Sequence, residues 1–255
     1  MDPRKNCAFE KLFTINAPHI LEKIFFSLDY KSYATCLEVS KAWNELLTSE
    51  SYKQKGKCMF HEEITEEAWD AVWNGNAEAV RGLLFSGMVD VNLKHSIYLE
   101  WTLLCTAAWK GHSHVAKLLL DAGADPNKER NDGATPLFCA AAEGHTDIVL
   151  LLLNAGADVD KANISGYTPL HQAITWDRTD VTELLLNRGA DFNKADKWRR
   201  TPLHKATTSG YPYIVKLLLQ CGADSTVTNM DGNTPLNLAI IWGRKEIINI
   251  LSNVV

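Results

Sequence analysis

Apolar residues along most of the chain recur at the spacing of amphipathic helices, and short polar stretches separate them. The segment from Thr135 to Gly156 illustrates this pattern. Thr135 followed by a proline predicts the start of one helix, and Gly144 predicts its end. Ile148 and the apolar residues after it form one stripe on a second helix, which we expect to end at Gly156.

This pattern belongs to an internal repeat of 33 residues. Threonine recurs at this interval at five positions: Thr102, Thr135, Thr168, Thr201 and Thr234. Four of these threonines begin a Thr-Pro-Leu motif, and a Gly-Ala-Asp motif with the same period starts at Gly123, Gly156, Gly189 and Gly222. Two motifs in phase indicate a solenoid in which each unit packs on its neighbours.

Both motifs resemble those of ankyrin repeats, and the resemblance implies a turn and two antiparallel helices in each unit. We expect an all-α fold with about six repeats, near residues 66–98, 99–131, 132–164, 165–197, 198–230 and 231–255. Asp-Gly pairs at Asp132 and Asp231 predict short β-turn or hairpin connections. The first repeat lacks the Thr-Pro-Leu start. We interpret it as a degenerate capping repeat, followed by three extra residues in a loop around 95–99.

Residues 1–61 lack the period, so we expect a domain boundary near residue 60, with the repeats in residues 62–255. Apolar residues at helical spacing predict a small bundle of two or three short helices in this first part. About sixty residues are close to the lower limit for an independent core, which favours support from a partner or from the repeats.

The first part resembles an F-box over about forty residues. The match lies in the stretches 17–25, 27–29 and 39–43, which read Ala-Pro-His-Ile-Leu-Glu-Lys-Ile-Phe, Ser-Leu-Asp and Val-Ser-Lys-Ala-Trp. It departs from the family pattern at Ala17, where proline is usual, and at His19, where an acidic residue is usual. The resemblance implies docking on a Skp-type adaptor, and through it on a cullin, by Pro18, Ile20, Leu21, Ile24, Phe25, Leu28, Val39 and Trp43.

Composition narrows the class of protein. The 255 residues are 46% hydrophobic and 22% charged, and the net charge of -5 leaves no broad basic field for nucleic acid. The sequence has no apolar run long enough for a membrane span and no secretory signal. We therefore expect a protein of the cytoplasm, the nucleus or both, without a membrane partner. The six cysteines lack metal-ligand spacing, and we expect reduced thiols, with Cys105 and Cys139 buried.

The sequence contains no motif for catalysis, phosphate binding or metal binding, so we expect a protein that is not an enzyme and takes no cofactor. His171 and His204 follow Thr-Pro-Leu at the repeat interval, and His112 and His145 follow glycines predicted to end helices. Histidines spaced one per repeat do not converge on a single point. We therefore interpret them as structural.

Tryptophan marks the expected binding surface. The resemblance to ankyrin repeats implies a concave recognition face formed by the turn residues and the last residues of each first helix. Six of the eight tryptophans lie at such positions, and Trp is favoured at the energetic centres of interfaces. We expect protein binding by Trp73, Trp101, Trp109, Lys110, Glu143, Tyr167, Trp176, Lys197, Trp198, Arg199, Arg200, Met230, Asn233 and Trp242. The alternative for any single tryptophan is a core position between repeats.

A groove is expected along this face, because equivalent positions of a solenoid face the same way. Its lining is predicted to be Trp109, Trp176, Trp198 and Trp242, with Tyr167. Neighbouring lysines and arginines favour a bound segment that is apolar with flanking acids.

The two resemblances together imply the substrate-recognition subunit of an SCF-type ubiquitin ligase, whose repeats hold the protein to be ubiquitinated. The alternative is an ankyrin scaffold or inhibitor without ligase function, whose N-terminal helices cap the solenoid. A modification site is also expected. Leu84, Asp90, Val91 and Asn92 resemble the pattern at which asparaginyl hydroxylases modify ankyrin repeats, which predicts hydroxylation of Asn92.

Overall fold

The computed structural model describes residues 66–85, 89–94 and 100–253. Within these ranges the chain forms twelve helices, and its only bridge between extended segments joins Lys94 to Thr102. The helices are α1 (66–73), α2 (Ala77–Phe85), α3 (Leu103–Lys110), α4 (Ser113–Asp121), α5 (Pro136–Glu143), α6 (Thr146–Asn154), α7 (Pro169–Thr175), α8 (Thr179–Asn187), α9 (Pro202–Ser209), α10 (Pro212–Gln220), α11 (Pro235–Ile241) and α12 (Lys245–Ser252). The predicted F-box helices and the predicted loop at 95–99 lie outside the described residues.

Consecutive helices pair into repeats, so that odd-numbered helices are the first and even-numbered helices the second of each repeat. From α3 onward, first helices pack against the first helices of neighbouring repeats. Second helices likewise pack against second helices. This is the all-α solenoid that the 33-residue period predicts.

Threonine begins the first helices from α3 onward, as predicted. The Thr102 hydroxyl accepts a hydrogen bond from the Cys105 N–H at 3.0 Å, and the Thr135 hydroxyl accepts one from the Phe138 N–H at 3.2 Å. Proline occupies the next position in α5, α7, α9 and α11, where no backbone N–H is required. Contacts between residues that are at most a few positions apart in the sequence therefore determine where these helices start.

The first helices end at a residue in the left-handed conformation. Gly111, Gly144 and Gly210 hold this position with φ of 80°, 83° and 83°. In the fourth repeat Asp177 takes the place of glycine, with φ of 53°. The helix end predicted at Gly144 is confirmed, whereas in this repeat the sequence has no glycine to mark the end of the first helix. Aspartate can substitute because its short polar side chain tolerates the left-handed region better than most side chains do.

The core is a row of aliphatic side chains that each repeat supplies in turn. Leu137, Leu170 and Leu203 each follow a Thr-Pro pair and are fully buried. The stripe predicted on the second helix of the third repeat is confirmed, since Ile148 and Leu152 are also fully buried. Burial of one such side chain stabilises the fold by about 1.5 to 3 kcal/mol relative to exposure.

The cysteines of the described part of the chain are free thiols. Cys105 and Cys139 are buried, as predicted, and Cys221 is exposed. Hydrogen bonding with Cys105 and burial raise the pKa of the Cys139 thiol well above its ordinary value. Cys139 is therefore protonated at neutral pH and serves as a small apolar side chain.

Backbone hydrogen bonds join the turns of adjacent repeats. The Lys197 N–H donates to the Ser165 carbonyl at 3.1 Å, and an equivalent bond of 3.0 Å joins the next pair of turns. Within one turn, Asp196 Oδ1 accepts from the N–H groups of Trp198 and Arg200, both at 2.8 Å. These bonds hold the turn residues in a row and fix the backbone on which the predicted binding side chains stand.

Candidate binding surface

The predicted binding residues fall into two clusters and a few separate positions. The first cluster consists of Trp73, Trp101, Trp109, Lys110 and Glu143. The second cluster consists of Tyr167, Trp198 and Arg200, together with Asp196 and Lys205. Trp176 and Trp242 take no part in the ring contacts of either cluster.

The first cluster packs three tryptophans around one lysine. The ring centroids of Trp73 and Trp109 are 5.8 Å apart, and those of Trp101 and Trp109 are 5.4 Å apart. Lys110 places its Nζ 3.6 Å from the centroid of the Trp73 ring and 4.9 Å from that of the Trp109 ring. Because aromatic faces attract a cation at these distances, the charge of Lys110 has partners within the chain.

Trp109 is also anchored by hydrogen bonds. Its Nε1 donates to Glu143 Oε1 at 2.8 Å, and its carbonyl accepts from His145 Nε2 at 3.2 Å. The side chain is half-buried and packs against the core. Trp109 therefore links the second and third repeats and contributes to the stability of the fold.

An ion pair between Arg130 and Asp132 lies beside Trp101 of the first cluster. The Arg130 guanidinium lies 4.6 Å from the Trp101 ring centroid and donates to both carboxylate oxygens of Asp132 at 2.6 Å. Burial acts to raise the pKa of Asp132, but hydrogen bonds from Arg130 and from the Ala134 N–H outweigh burial and lower it. The charges of this pair balance each other.

The second cluster stands on two adjacent turns. The ring centroids of Tyr167 and Trp198 are 5.9 Å apart, and the Arg200 guanidinium carbon lies 4.7 Å from the Trp198 centroid. Arg200 Nε donates to Asp196 Oδ2 at 2.8 Å, and Arg200 Nη2 donates to the Tyr167 hydroxyl. Asp196 is buried, so water screens this ion pair little on the carboxylate side. The two contacts fix Arg200 beside both rings.

Lys205 belongs to the second cluster and was not predicted from the sequence. It lies half-buried on α9, with its Nζ 5.7 Å from the Tyr167 ring centroid. Burial lowers the pKa of its ammonium group, and the charge of Arg200 lowers it further. The sequence does hold a signal for this residue, because the equivalent positions of the other Thr-containing repeats carry the uncharged residues Thr106, Cys139, Gln172 and Leu238.

Trp176 and Trp242 occupy equivalent positions directly after α7 and α11. Their side chains are 57% and 59% exposed. Lys197, Arg199 and Met230 are also exposed, whereas Asn233 is half-buried. A single groove that joins these residues to both clusters stays a prediction.

The buried histidines of the repeats are structural, as predicted. His171 is fully buried: its Nε2 donates to the Arg200 carbonyl at 3.1 Å, and its Nδ1 accepts from the Thr168 N–H at 3.3 Å. Burial lowers the pKa of His171 to about 4, so the ring is neutral at physiological pH. His204 makes the same contacts one repeat later. The residues that the structure describes contain no group of side chains able to hold a metal ion.

Asn92, the predicted hydroxylation site, lies half-buried in a turn of the first repeat. Its Oδ1 accepts a hydrogen bond from the Asp125 N–H at 2.8 Å. The same bond recurs one repeat later, from the Asp158 N–H to Asn127. The side chain thus links neighbouring repeats, and its hydroxylation stays a prediction.

The predicted adaptor-binding residues, from Pro18 to Trp43, lie outside the described residues. Every helix of the described ranges is too short or too polar to cross a bilayer.

Comparison with known families identifies both parts of the chain. A family model of ankyrin repeats matches residues 68–163, 123–196 and 188–254, and a model of the F-box domain matches residues 18–55. The comparison with curated proteins returned no match. Both families are typically interaction modules without catalytic activity. Since the ankyrin matches together span well over half of the sequence, the chain belongs to the ankyrin-repeat proteins, and it carries an F-box domain before its repeats.

Proposed function

We propose that this chain is the substrate-recognition subunit of an SCF-type ubiquitin ligase. The F-box docks on a Skp-type adaptor, and through it on a cullin, while the ankyrin repeats bind the protein to be ubiquitinated. The presence of both domains in one chain carries the proposal, with the F-box at residues 18–55 and the repeats at residues 68–254. One domain supplies the connection to the ligase, and the other selects the substrate.

The proposed substrate surface is the exposed part of the predicted concave face. Trp73 is 47% exposed and Trp198 is 45% exposed, and Trp176 and Trp242 are exposed further. A large apolar ring in water favours a partner that covers it, and its indole N–H orients that partner. The subunit positions the substrate in the cytoplasm, the nucleus or both, and it takes no part in the chemistry of ubiquitin transfer.

Co-expression of the full chain with a Skp-type adaptor tests this proposal. Ile24→Ala combined with Phe25→Ala removes two apolar side chains of the F-box match, and we expect the adaptor to be lost from the purified complex. The matched control is Ile240→Ala combined with Ile241→Ala, which removes two exposed apolar side chains at the end of α11. The control should retain the adaptor.

Unfolding of both double variants is followed by circular dichroism, so that loss of the adaptor is not confused with loss of the fold. If the adaptor does not copurify with the unchanged chain, or still binds the F-box variant, the ligase assignment is wrong. The alternative of an ankyrin scaffold or inhibitor is then favoured.

A further inference from the structure

Lys205 carries a positive charge that no carboxylate of the described residues balances by an ion pair. Its Nζ lies 5.7 Å from the Tyr167 ring centroid, close to the limit of about 6 Å for a cation over a ring. The buried carboxylate of this cluster, Asp196, is engaged by Arg200 and by backbone N–H groups. Lys110 differs, because its ammonium group lies 3.6 Å from the centroid of the Trp73 ring.

The second cluster and its turn also supply hydrogen-bond donors. The Tyr167 hydroxyl accepts from Arg200 and therefore keeps its own proton to donate. Lys197 and Arg199 project from the same turn as Arg200 and are exposed, and neither forms an ion pair with a described residue. An anion would therefore complement this part of the surface, while Trp198 offers an apolar ring beside it.

We propose that Lys205, Arg200 and Tyr167 form a pocket for one carboxylate side chain, an aspartate or glutamate, of a partner protein. Trp198 covers the apolar residue next to that acid. The inference rests on the proposed function in that the partner is the ligase substrate. In this proposal Lys205 is a specificity-determining residue. A partner with glutamine in place of the acid would bind more weakly, because the Lys205 ammonium group would then have no anion to pair with.

Two features favour a carboxylate over a phosphorylated side chain. Among the described residues of this cluster, Lys205 is the one half-buried cation without an ion-pair partner, and water screens the exposed charges of Lys197 and Arg199. The half-buried site therefore matches a single negative charge, whereas a phosphate carries about two. The start of α9 also offers few backbone N–H groups of the kind that phosphates use at helix N-termini, because Pro202 has none. There the Thr201 N–H donates to His204 Nδ1 at 3.2 Å, and the Thr201 hydroxyl and His204 form a capping box.

A display library of random peptides, selected on the full chain, is the first probe. We expect the selected peptides to be enriched in aspartate or glutamate next to apolar residues. Lys205→Gln should abolish this enrichment, and Lys205→Glu should replace it with a preference for basic residues. The matched control is Lys117→Gln, at an exposed lysine of α4, and it should select the same peptides as the unchanged chain.

Direct binding is the second probe. One selected peptide is synthesised with glutamate, glutamine or phosphoserine at the acidic position, and its affinity is measured by fluorescence anisotropy. We expect the glutamate form to bind about tenfold more tightly than the glutamine form, and this ratio to fall to about one in Lys205→Gln. Circular dichroism confirms that each variant is folded.

Three outcomes overturn the inference. Enrichment in acids that survives Lys205→Glu removes Lys205 from recognition, and binding of the phosphoserine form alone refutes the carboxylate assignment. A library that yields no peptide whose binding depends on Trp198 refutes the pocket. Adaptor copurification is measured separately, so a chain that fails these tests but retains the adaptor refutes the pocket and leaves the ligase proposal standing.

Discussion

Single residues of the same type differ in exposure, and the tryptophans show this best. Trp109 is half-buried and donates a hydrogen bond to Glu143, whereas Trp198 and Trp242 are 45% and 59% exposed. A half-buried ring stabilises the fold through packing, while an exposed ring leaves apolar surface for a partner to cover. Burial therefore separates tryptophans that support the solenoid from those available for binding.

Alanine substitutions at Trp109 and Trp198 should lower the stability of the fold to different extents. Trp109→Ala removes ring contacts with Trp73 and Trp101 and leaves Glu143 without its donor, so we expect the free energy of unfolding to fall by about 2 to 4 kcal/mol. Trp198→Ala should lower it by less than about 1 kcal/mol, because nearly half of the side chain is in water.

Urea unfolding measures stability, and a pull-down of cellular proteins measures binding. Trp198→Ala should reduce the capture of partners although its stability is nearly unchanged. A sharp loss of stability with partner capture intact would assign Trp198 to the fold and contradict its binding role.

Among the elements, each turn between repeats contains one position whose backbone adopts the left-handed conformation. The left-handed residue of the turn is Gly133, Gly166 and Gly232 in the third, fourth and sixth repeats, but Arg199, with φ of 58°, in the fifth. A residue other than glycine in this region carries strain of order 1 kcal/mol. Glu100, with φ of 49°, holds the same position in the second repeat, next to Trp101. A strained turn residue therefore lies beside each of the two clusters.

Two of these turn glycines, Gly166 and Gly232, provide a matched test of how tightly neighbouring turns pack. Gly166 and Gly232 have φ of 80° and 76°, so alanine meets the same conformational strain at both. At Gly166 an added Cβ would also lie 2.8 Å from the Lys197 backbone nitrogen, whereas at Gly232 it would meet no atom of the described residues within 4 Å. We expect Gly232→Ala to cost about 1 kcal/mol and Gly166→Ala at least about 1 kcal/mol more.

Urea unfolding of the two variants measures this difference directly. Equal losses of stability would show that the next turn moves away at no cost, contrary to the hydrogen bond between the Lys197 N–H and the Ser165 carbonyl.

The whole repeat array is tied together by side chains that reach back to the preceding repeat. His112 Nε2 donates to the Trp73 carbonyl at 3.1 Å, and Arg178 Nε donates to the Ala142 carbonyl at 3.0 Å. Different residue types make equivalent bonds at equivalent positions. Because each repeat contacts its neighbours through such bonds, a change at one junction affects the stability of the array.

His171 makes the stability of the array depend on pH. Its pKa is about 4 in the folded chain and 6.5 as the ordinary value, because the ring is buried. Below pH 6.5 the unfolded chain therefore binds a proton that the folded chain does not, and stability falls with decreasing pH until about pH 4. From pH 7 to pH 5 we expect His171 to contribute a loss of about 2 kcal/mol.

His171→Asn provides the control, because Asn237 occupies the equivalent position in the sixth repeat. The variant should be less stable at pH 7, but its unfolding free energy should change less between pH 7 and pH 5 than that of the unchanged chain. His204, whose pKa is lowered by burial, should account for part of the remaining pH dependence. Identical pH dependence in the two chains would contradict the neutral state of His171.

The sequence by itself determined the repeat number, the helix starts and the all-α class. Thr135, Pro136 and Gly144 set the limits of a helix through contacts with residues a few positions away, so a local pattern is sufficient. The F-box assignment likewise follows from a local pattern, which the family model matches at residues 18–55. Aspartate in place of glycine at position 177 is the exception, since propensity alone would not place it in the left-handed region.

Only the tertiary structure decided which side chains have partners. Trp109 donates a hydrogen bond to Glu143, 34 residues later in the sequence, and Arg200 donates one to Tyr167, 33 residues earlier. Lys205 lies beside the Tyr167 ring, and no carboxylate of the described residues forms an ion pair with it. No local pattern separates a balanced charge from an unbalanced one in a solenoid, because the partner of each side chain comes from the neighbouring repeat.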